Sequence, residues 1–141
     1  MAISAASLPE SALRLLSPAD RKSLGVQSAG DARAKFESRE EKVLQGEVSK
    51  FLSFQRAQGR CQFIIPPMHA KSRLPEGWPD LTLFLPNGKT VLIEFKAPGG
   101  ATRPAQTAMH ASLLSLGHPV RIVRSVAEFI AIWKAECAAA S

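Results

Sequence analysis

One stretch constrains the fold more than any other: Asp80 to Lys96, DLTLFLPNGKTVLIEFK. Two apolar runs of strand composition flank Pro86-Asn87-Gly88, and this pattern predicts a β-hairpin. Side chains alternate faces along a strand, so the loop length decides which residues oppose each other. A two-residue Asn87-Gly88 turn sets Asp80 opposite Phe95. A three-residue loop pairs Leu85 with Lys89 and sets Asp80 opposite Glu94. Proline suits the first turn position and glycine the left-handed third, so the residues favour the longer loop. One face is then wholly apolar: Leu81, Leu83, Leu85, Val91, Ile93 and Phe95. The other carries Asp80, Thr82, Glu94 and Lys96, with Phe84 and Leu92 toward the turn.

Directly opposed Cβ atoms lie ~4.5–5.5 Å apart. Two carboxylates that close repel, and each pKa rises unless a cation lies between them. Mg²⁺ or Mn²⁺ answers this need, because hard cations favour carboxylate oxygens. Lys96, just beyond, is placed to orient a nucleophilic water or to neutralise charge developing on a phosphate. The plainer reading is a hairpin face of solvated charges. Trp78, Pro79 and the apolar surroundings count against it, because they imply burial, where unpaired charge is costly.

Around the hairpin the chain reads as alternating elements. Ser38-Arg39-Glu40-Glu41 has capping-box spacing and predicts a helix start. Leu44, Val48, Phe51, Leu52 and Gln55 follow at helical spacing, and Gly59 ends the helix. Glu41 continues that stripe toward the sheet, so a third carboxylate and a capping role compete for one side chain. CQFIIPP predicts a short strand, and residues 68–79 a basic, proline-marked loop. After PGGATRP, Thr102 is the expected cap of a helix with Gly117 just past its end. PVRIV predicts another strand, and Ser125 caps a last helix to about Ala135. The expected order is α-β-β-β-α-β-α, an α/β fold with a mixed sheet flanked by helices. Residues 1–37 are expected to form a helical extension, with Ser17 and Pro18 opening a helix, and residues 38–141 the domain.

The net charge of +6 favours a polyanionic partner. Lys71 and Arg73 in the basic loop, and Arg103 before the later helix, are candidate phosphate contacts. His69, His110 and His118 lack zinc-ligand spacing. His110 follows Gln106 by one helical turn, which places it either along the cleft or in packing. Trp133 belongs to the core or an interface. Cys61 and Cys137 read as reduced thiols of a cytoplasmic protein. No run is long and apolar enough for a membrane span, and the N-terminus lacks the pattern of a signal peptide.

At these residues the chain resembles a known family. Glu41 with Gln45, Gly77-Trp78-Pro79-Asp80, Glu94-Phe95-Lys96, Pro98-Gly99-Gly100, Gln106 and Gly117 together resemble the virus-type replication–repair nuclease (VRR-NUC) domain of the PD-(D/E)xK, restriction-endonuclease-like superfamily. The resemblance covers residues 38–133. It implies a restriction-endonuclease-like core and Mg²⁺- or Mn²⁺-dependent hydrolysis of DNA. It implies Asp80, Glu94 and the Phe95 carbonyl as metal ligands, with Glu41 ligating directly or through water. Lys96 would be the catalytic lysine, and Gln106 would orient groups from the following helix. It further implies a phage or bacterial setting, DNA repair or recombination, a Holliday-junction-like branched substrate and a homodimer. Where many relatives have Gly-Val-Pro-Asp, this chain has Gly-Trp-Pro-Asp, which sets a large ring beside a ligand. The rival reading is a basic nucleic-acid-binding module that does not cut.

Overall fold

A computed structural model describes Leu15, Ser17, Ala19, Asp20 and residues 29–140. Packing divides the chain into two units, Met1–Ser38 and Arg39–Ser141. In the first, Ser17 Oγ accepts the Asp20 N–H at 3.1 Å, which is the cap expected there. Pro18 lies outside the described residues.

Helix α1 spans Ala29–Ala57 and runs straight through Ser38. The expected helix start at Ser38 is therefore wrong. Upstream, DARAKFE is rich in good helix formers and holds no stop signal. Arg33 and Glu37 pair one turn apart at 2.9 Å. With Ser38 inside the helix, its capping-box partner is not needed as a cap, and the competition for Glu41 disappears.

Four strands follow: β1 Gln62–Ile64, β2 Leu81–Leu85, β3 Lys89–Phe95 and β4 Val120–Val123. They lie in the order β1-β2-β3-β4, and only the β3–β4 pairing is parallel. Helix α2, Pro104–Ser115, makes the crossover between β3 and β4, and α3, Val126–Ala140, closes the chain. This is an α/β fold with a mixed four-stranded sheet flanked by helices, of restriction-endonuclease-like architecture. Ser125 Oγ accepts the Glu128 N–H at 3.1 Å, as expected of a cap, although α3 runs past Ala135.

The apolar hairpin face forms the core. Leu81, Leu83, Leu85, Val91, Ile93 and Phe95 are buried with Leu44, Val48 and Leu52 of α1 and Phe129 and Trp133 of α3. Phe51 meets Phe129 and Trp133 edge-on, with centroids 5.9 and 5.4 Å apart. Cys61 and Cys137 are free thiols. No helix among the described residues is long and apolar enough to cross a membrane.

The hairpin register is the three-residue one, with Leu85 paired to Lys89 and Leu81 to Ile93. Gly88 has φ +73°, the left-handed conformation expected of it. Asn87 is left-handed too, at φ 63°, where a type I turn would keep it right-handed. Asparagine tolerates that region, so the Asn-Gly pair supplies both left-handed positions.

Candidate active site

The hairpin ladder ends at Leu81 and Ile93 for a covalent reason. In that register Pro79 stands opposite Phe95, and proline has no N–H to offer. The Phe95 carbonyl therefore gets no donor from Pro79, and on the same edge the Phe95 N–H donates to the Asp80 side chain, at Oδ2, at 2.9 Å. The carboxylate of β2 is thereby fixed beside the backbone of β3. On the far side of β3, the Lys96 N–H donates to Val123 O on β4 at 3.0 Å, which holds the strand end straight.

Three ionisable side chains are buried here: Asp80 is 9% exposed, Glu94 2% and Lys96 3%. Each carboxylate oxygen has its own environment. Asp80 Oδ1 pairs with Lys71 Nζ at 2.8 Å. Glu94 Oε1 accepts Gln106 Nε2 at 2.5 Å. Gln106 is oriented in turn, because its Oε1 accepts the Arg103 N–H at 3.0 Å. Arg103 thus holds the cap position of α2, and Gln106, not Thr102, supplies the capping side chain. The expectation for Thr102 fails because its hydroxyl bonds to Thr107 Oγ1 instead, at 3.1 Å.

Glu94 Oε2 is buried and has no hydrogen-bond partner. His110 Nε2, 4.0 Å away, is also buried and unpartnered. Burial, then the charge of Asp80, push the Glu94 carboxyl up to about 8, against the opposing pull of Lys96. Burial and the neighbouring Lys96 hold His110 below the usual imidazole range.

Of the site residues read from sequence, Asp80, Glu94, Phe95, Lys96 and Gln106 come together. Glu41 joins through Lys96, with its Oε1 4.0 Å from Nζ. Lys71 reaches the site as the ion-pair partner of Asp80. Its position nine residues before Asp80 gave no sign of that pairing. Arg103 lines a pocket beside Asp80. Arg73 is exposed and does not line that pocket. Among the described residues, no three His, Cys, Asp or Glu side chains are grouped to hold a metal ion. A cation here would rest on Asp80, Glu94 and the Phe95 carbonyl.

Arg124 escaped sequence reasoning, and Gly77 and His110 were named there without the contacts described below. Arg124 Nη1 donates to Ala97 O at 3.0 Å and to Gly100 O at 2.6 Å, clamping the loop that links Lys96 to α2. Only tertiary structure shows this. Gly77, at φ +81°, lies so close to the first turn of α2 that any Cβ would collide with the Ala105 carbonyl. This contact seats the Trp78-Pro79-Asp80 segment on the helix that carries Gln106. His110 faces Glu94, and its spacing from Gln106 was the one available signal.

Residues 37–127, which hold every member of this site, match the VRR-NUC domain. This chain belongs to the VRR-NUC domain family. A curated relative, "Putative nuclease p44" of Acyrthosiphon pisum secondary endosymbiont phage 1, is 47% identical over 49 residues. That alignment takes in 35% of this chain and 53% of the relative, so the chain spans about half the length of the curated protein it matches. No solved structure matches the chain. The VRR-NUC match covers α1 from Glu37 and the whole sheet, and it stops at the first turn of α3.

Proposed function

We propose that this chain is a divalent-metal-dependent endonuclease that hydrolyses phosphodiester bonds of DNA, with branched DNA as its preferred form and a homodimer as its working state. One observation carries the reading: Glu94 Oε2 is buried and unpartnered beside Asp80 and Lys96. Ionising that carboxyl without a cation is costly, as its rise to about 8 reflects, and a bound cation would remove the cost. Among N, O and S ligands, carboxylate and carbonyl oxygens suit Mg²⁺ and Mn²⁺, so the donors fit the ion the family implies.

Asp80, Glu94 and the Phe95 carbonyl would hold Mg²⁺ or Mn²⁺, with Glu41 reaching it through water. Bound there, the ion supplies Lewis-acid polarisation of the phosphate and a more acidic water. Gln106 keeps Glu94 in place through Nε2. Lys96 holds a buried positive charge where charge develops on the phosphate, and Glu41 stands behind it. The net charge of +6 draws DNA in, with Lys71, Arg73 and Arg103 nearest the phosphates. Pairing two such sites on one branched substrate is the reason for a dimer. The phage relative named as a nuclease supports the same reading.

A second reading, a basic module that binds DNA without cutting, is favoured by the lack of three grouped metal-ligating side chains among the described residues. Incubation with labelled duplex, flap and four-way-junction DNA in Mg²⁺, Mn²⁺ or EDTA separates the two. The nuclease cuts only with metal. The binding module retains the DNA uncut, whether metal or EDTA is present.

A further inference from the structure

A pocket of about 260 Å³ opens beside Asp80, and its walls include Lys71, Glu76, Trp78, Asp80, Arg103 and Gln106. It exists because Gly77 lets the segment before Asp80 rest directly on the first turn of α2. Its walls differ in kind. Trp78 is half-buried and contributes a flat aromatic surface. Arg103 is exposed at the rim. Lys71 pairs with Asp80 at 2.8 Å, so Asp80 does not repel a phosphate that approaches the pocket, and exposed Glu76 is the other carboxylate of its walls. Both ends of the Gln106 amide are already engaged, by Arg103 N–H and by Glu94.

We propose that this pocket receives one unpaired nucleobase of the DNA, stacked on Trp78, with the adjoining phosphate held by Arg103. The proposal rests on the nuclease reading and names the substrate form it requires: the strand must be unpaired next to the scissile phosphate. The volume lies below the ~300–1,000 Å³ of sites for drug-sized ligands and leaves room for a single base. A base inside a duplex is stacked and paired, and enters only at a cost of about a few kcal/mol. A base at a branch point, flap or bulge has lost part of that stacking and enters at little cost. The pocket shares Asp80 with the carboxylate site, so a base seated here sets its own phosphate beside Glu94 and Lys96. Trp78 is the flat wall of the pocket, so the pocket reads the π-face of the base, which every base has, and its selection is for structure over sequence.

The test uses three oligonucleotides: a continuous duplex, the same duplex with one unpaired nucleotide, and a third with an abasic site at that nucleotide. Cleavage is measured in Mn²⁺. In parallel, 2-aminopurine at the unpaired position reports stacking by its fluorescence in EDTA. The wild-type protein should cut the unpaired-base substrate roughly 10- to 100-fold faster than the abasic one, the range a single stacked base commands. It should also quench the 2-aminopurine on binding. In Trp78→Val the rate ratio should collapse toward one and the quench should vanish, and Trp78→Phe should restore most of both. Equal cleavage of unpaired-base and abasic DNA by the wild type overturns the pocket and leaves the nuclease reading intact. A ratio or quench that survives Trp78→Val places the base elsewhere and also overturns it. Absence of cleavage on all three substrates instead overturns the nuclease reading, and the fluorescence arm still decides the pocket.

Discussion

The buried Glu94 carboxyl makes stability depend on pH in a way its removal should erase. With the folded-state pKa near 8 and the usual value at 4.5, the folded protein keeps a proton that the unfolded chain gives up between those pH values. The folded state thus binds more protons, so stability falls as pH rises through that window and levels off above it. Below pH 4.5 both states are protonated and nothing is lost. Across the window the loss is ~4 kcal/mol, a large part of the ~5–15 kcal/mol that stabilises an ordinary domain. Glu94→Gln keeps the shape and the bond to Gln106 but has no proton to lose. Urea unfolding followed by the fluorescence of Trp78 and Trp133, in EDTA from pH 4.5 to 8.5, measures both proteins. The wild type should weaken steadily with pH. The variant should match it at the acid end and exceed it by several kcal/mol at pH 8. Mn²⁺ at a hundred times its Kd should return ~2.7 kcal/mol to the wild type and nothing to the variant. Parallel pH curves for the two proteins would refute the premise that ionising Glu94 is what the metal-free fold resists.

Substitutions at three further positions probe other parts of the molecule. Lys96→Ala should abolish cleavage in Mg²⁺ while leaving the far-ultraviolet circular dichroism and most DNA affinity intact; wild-type turnover would remove Lys96 from the mechanism. Gly88→Val should cost ~1–2 kcal/mol in urea unfolding through its left-handed backbone alone, because a Cβ there meets nothing within 4 Å. Gly88→Asn should cost clearly less, and equal losses would mean that the backbone conformation is not the cause. Gly77→Ala should cost ~1–3 kcal/mol and depress cleavage, since the added methyl meets unyielding helix backbone. Unchanged melting would show that the segment before Asp80 does not rest on α2.

What the sequence disclosed was local or strictly periodic. The hairpin register followed from three loop residues, and it carried Asp80, Glu94 and Lys96 to one face without knowledge of the rest of the chain. The α1 stripe was legible in the same way, because Leu44, Val48 and Leu52 recur at helical spacing and all are buried. Ser38 misled because a capping box is a pattern of four residues, whereas a helix end depends on whether the upstream chain can stay helical, and here it can. Thr102 misled in the same way, since the helix accepted a cap from Gln106, three residues inside it. Arg124, His110 and Lys71 act through partners on other elements or across a loop. No spacing rule links Arg124 to Ala97 and Gly100, and only the crossover through α2 and β4 brings them together.

The place of the charges on an apolar strand follows from where the ladder stops. Pro79 cannot donate to the Phe95 carbonyl, and the Phe95 N–H is taken by the Asp80 side chain, so backbone pairing of β2 with β3 stops at this step. The substitution of a side chain for a backbone partner puts one carboxylate at the strand end, and the alternation of β3 puts Glu94 and Lys96 on the same face. Three of the four carboxylate oxygens then have partners: Phe95 N–H, Lys71 and Gln106. The fourth, Glu94 Oε2, has none and faces an equally unpartnered His110 nitrogen. The core on the opposite face of the sheet is complete without these residues. A buried carboxyl with one open oxygen, its neighbouring oxygens braced by three separate donors, is the arrangement that the proposed metal site requires.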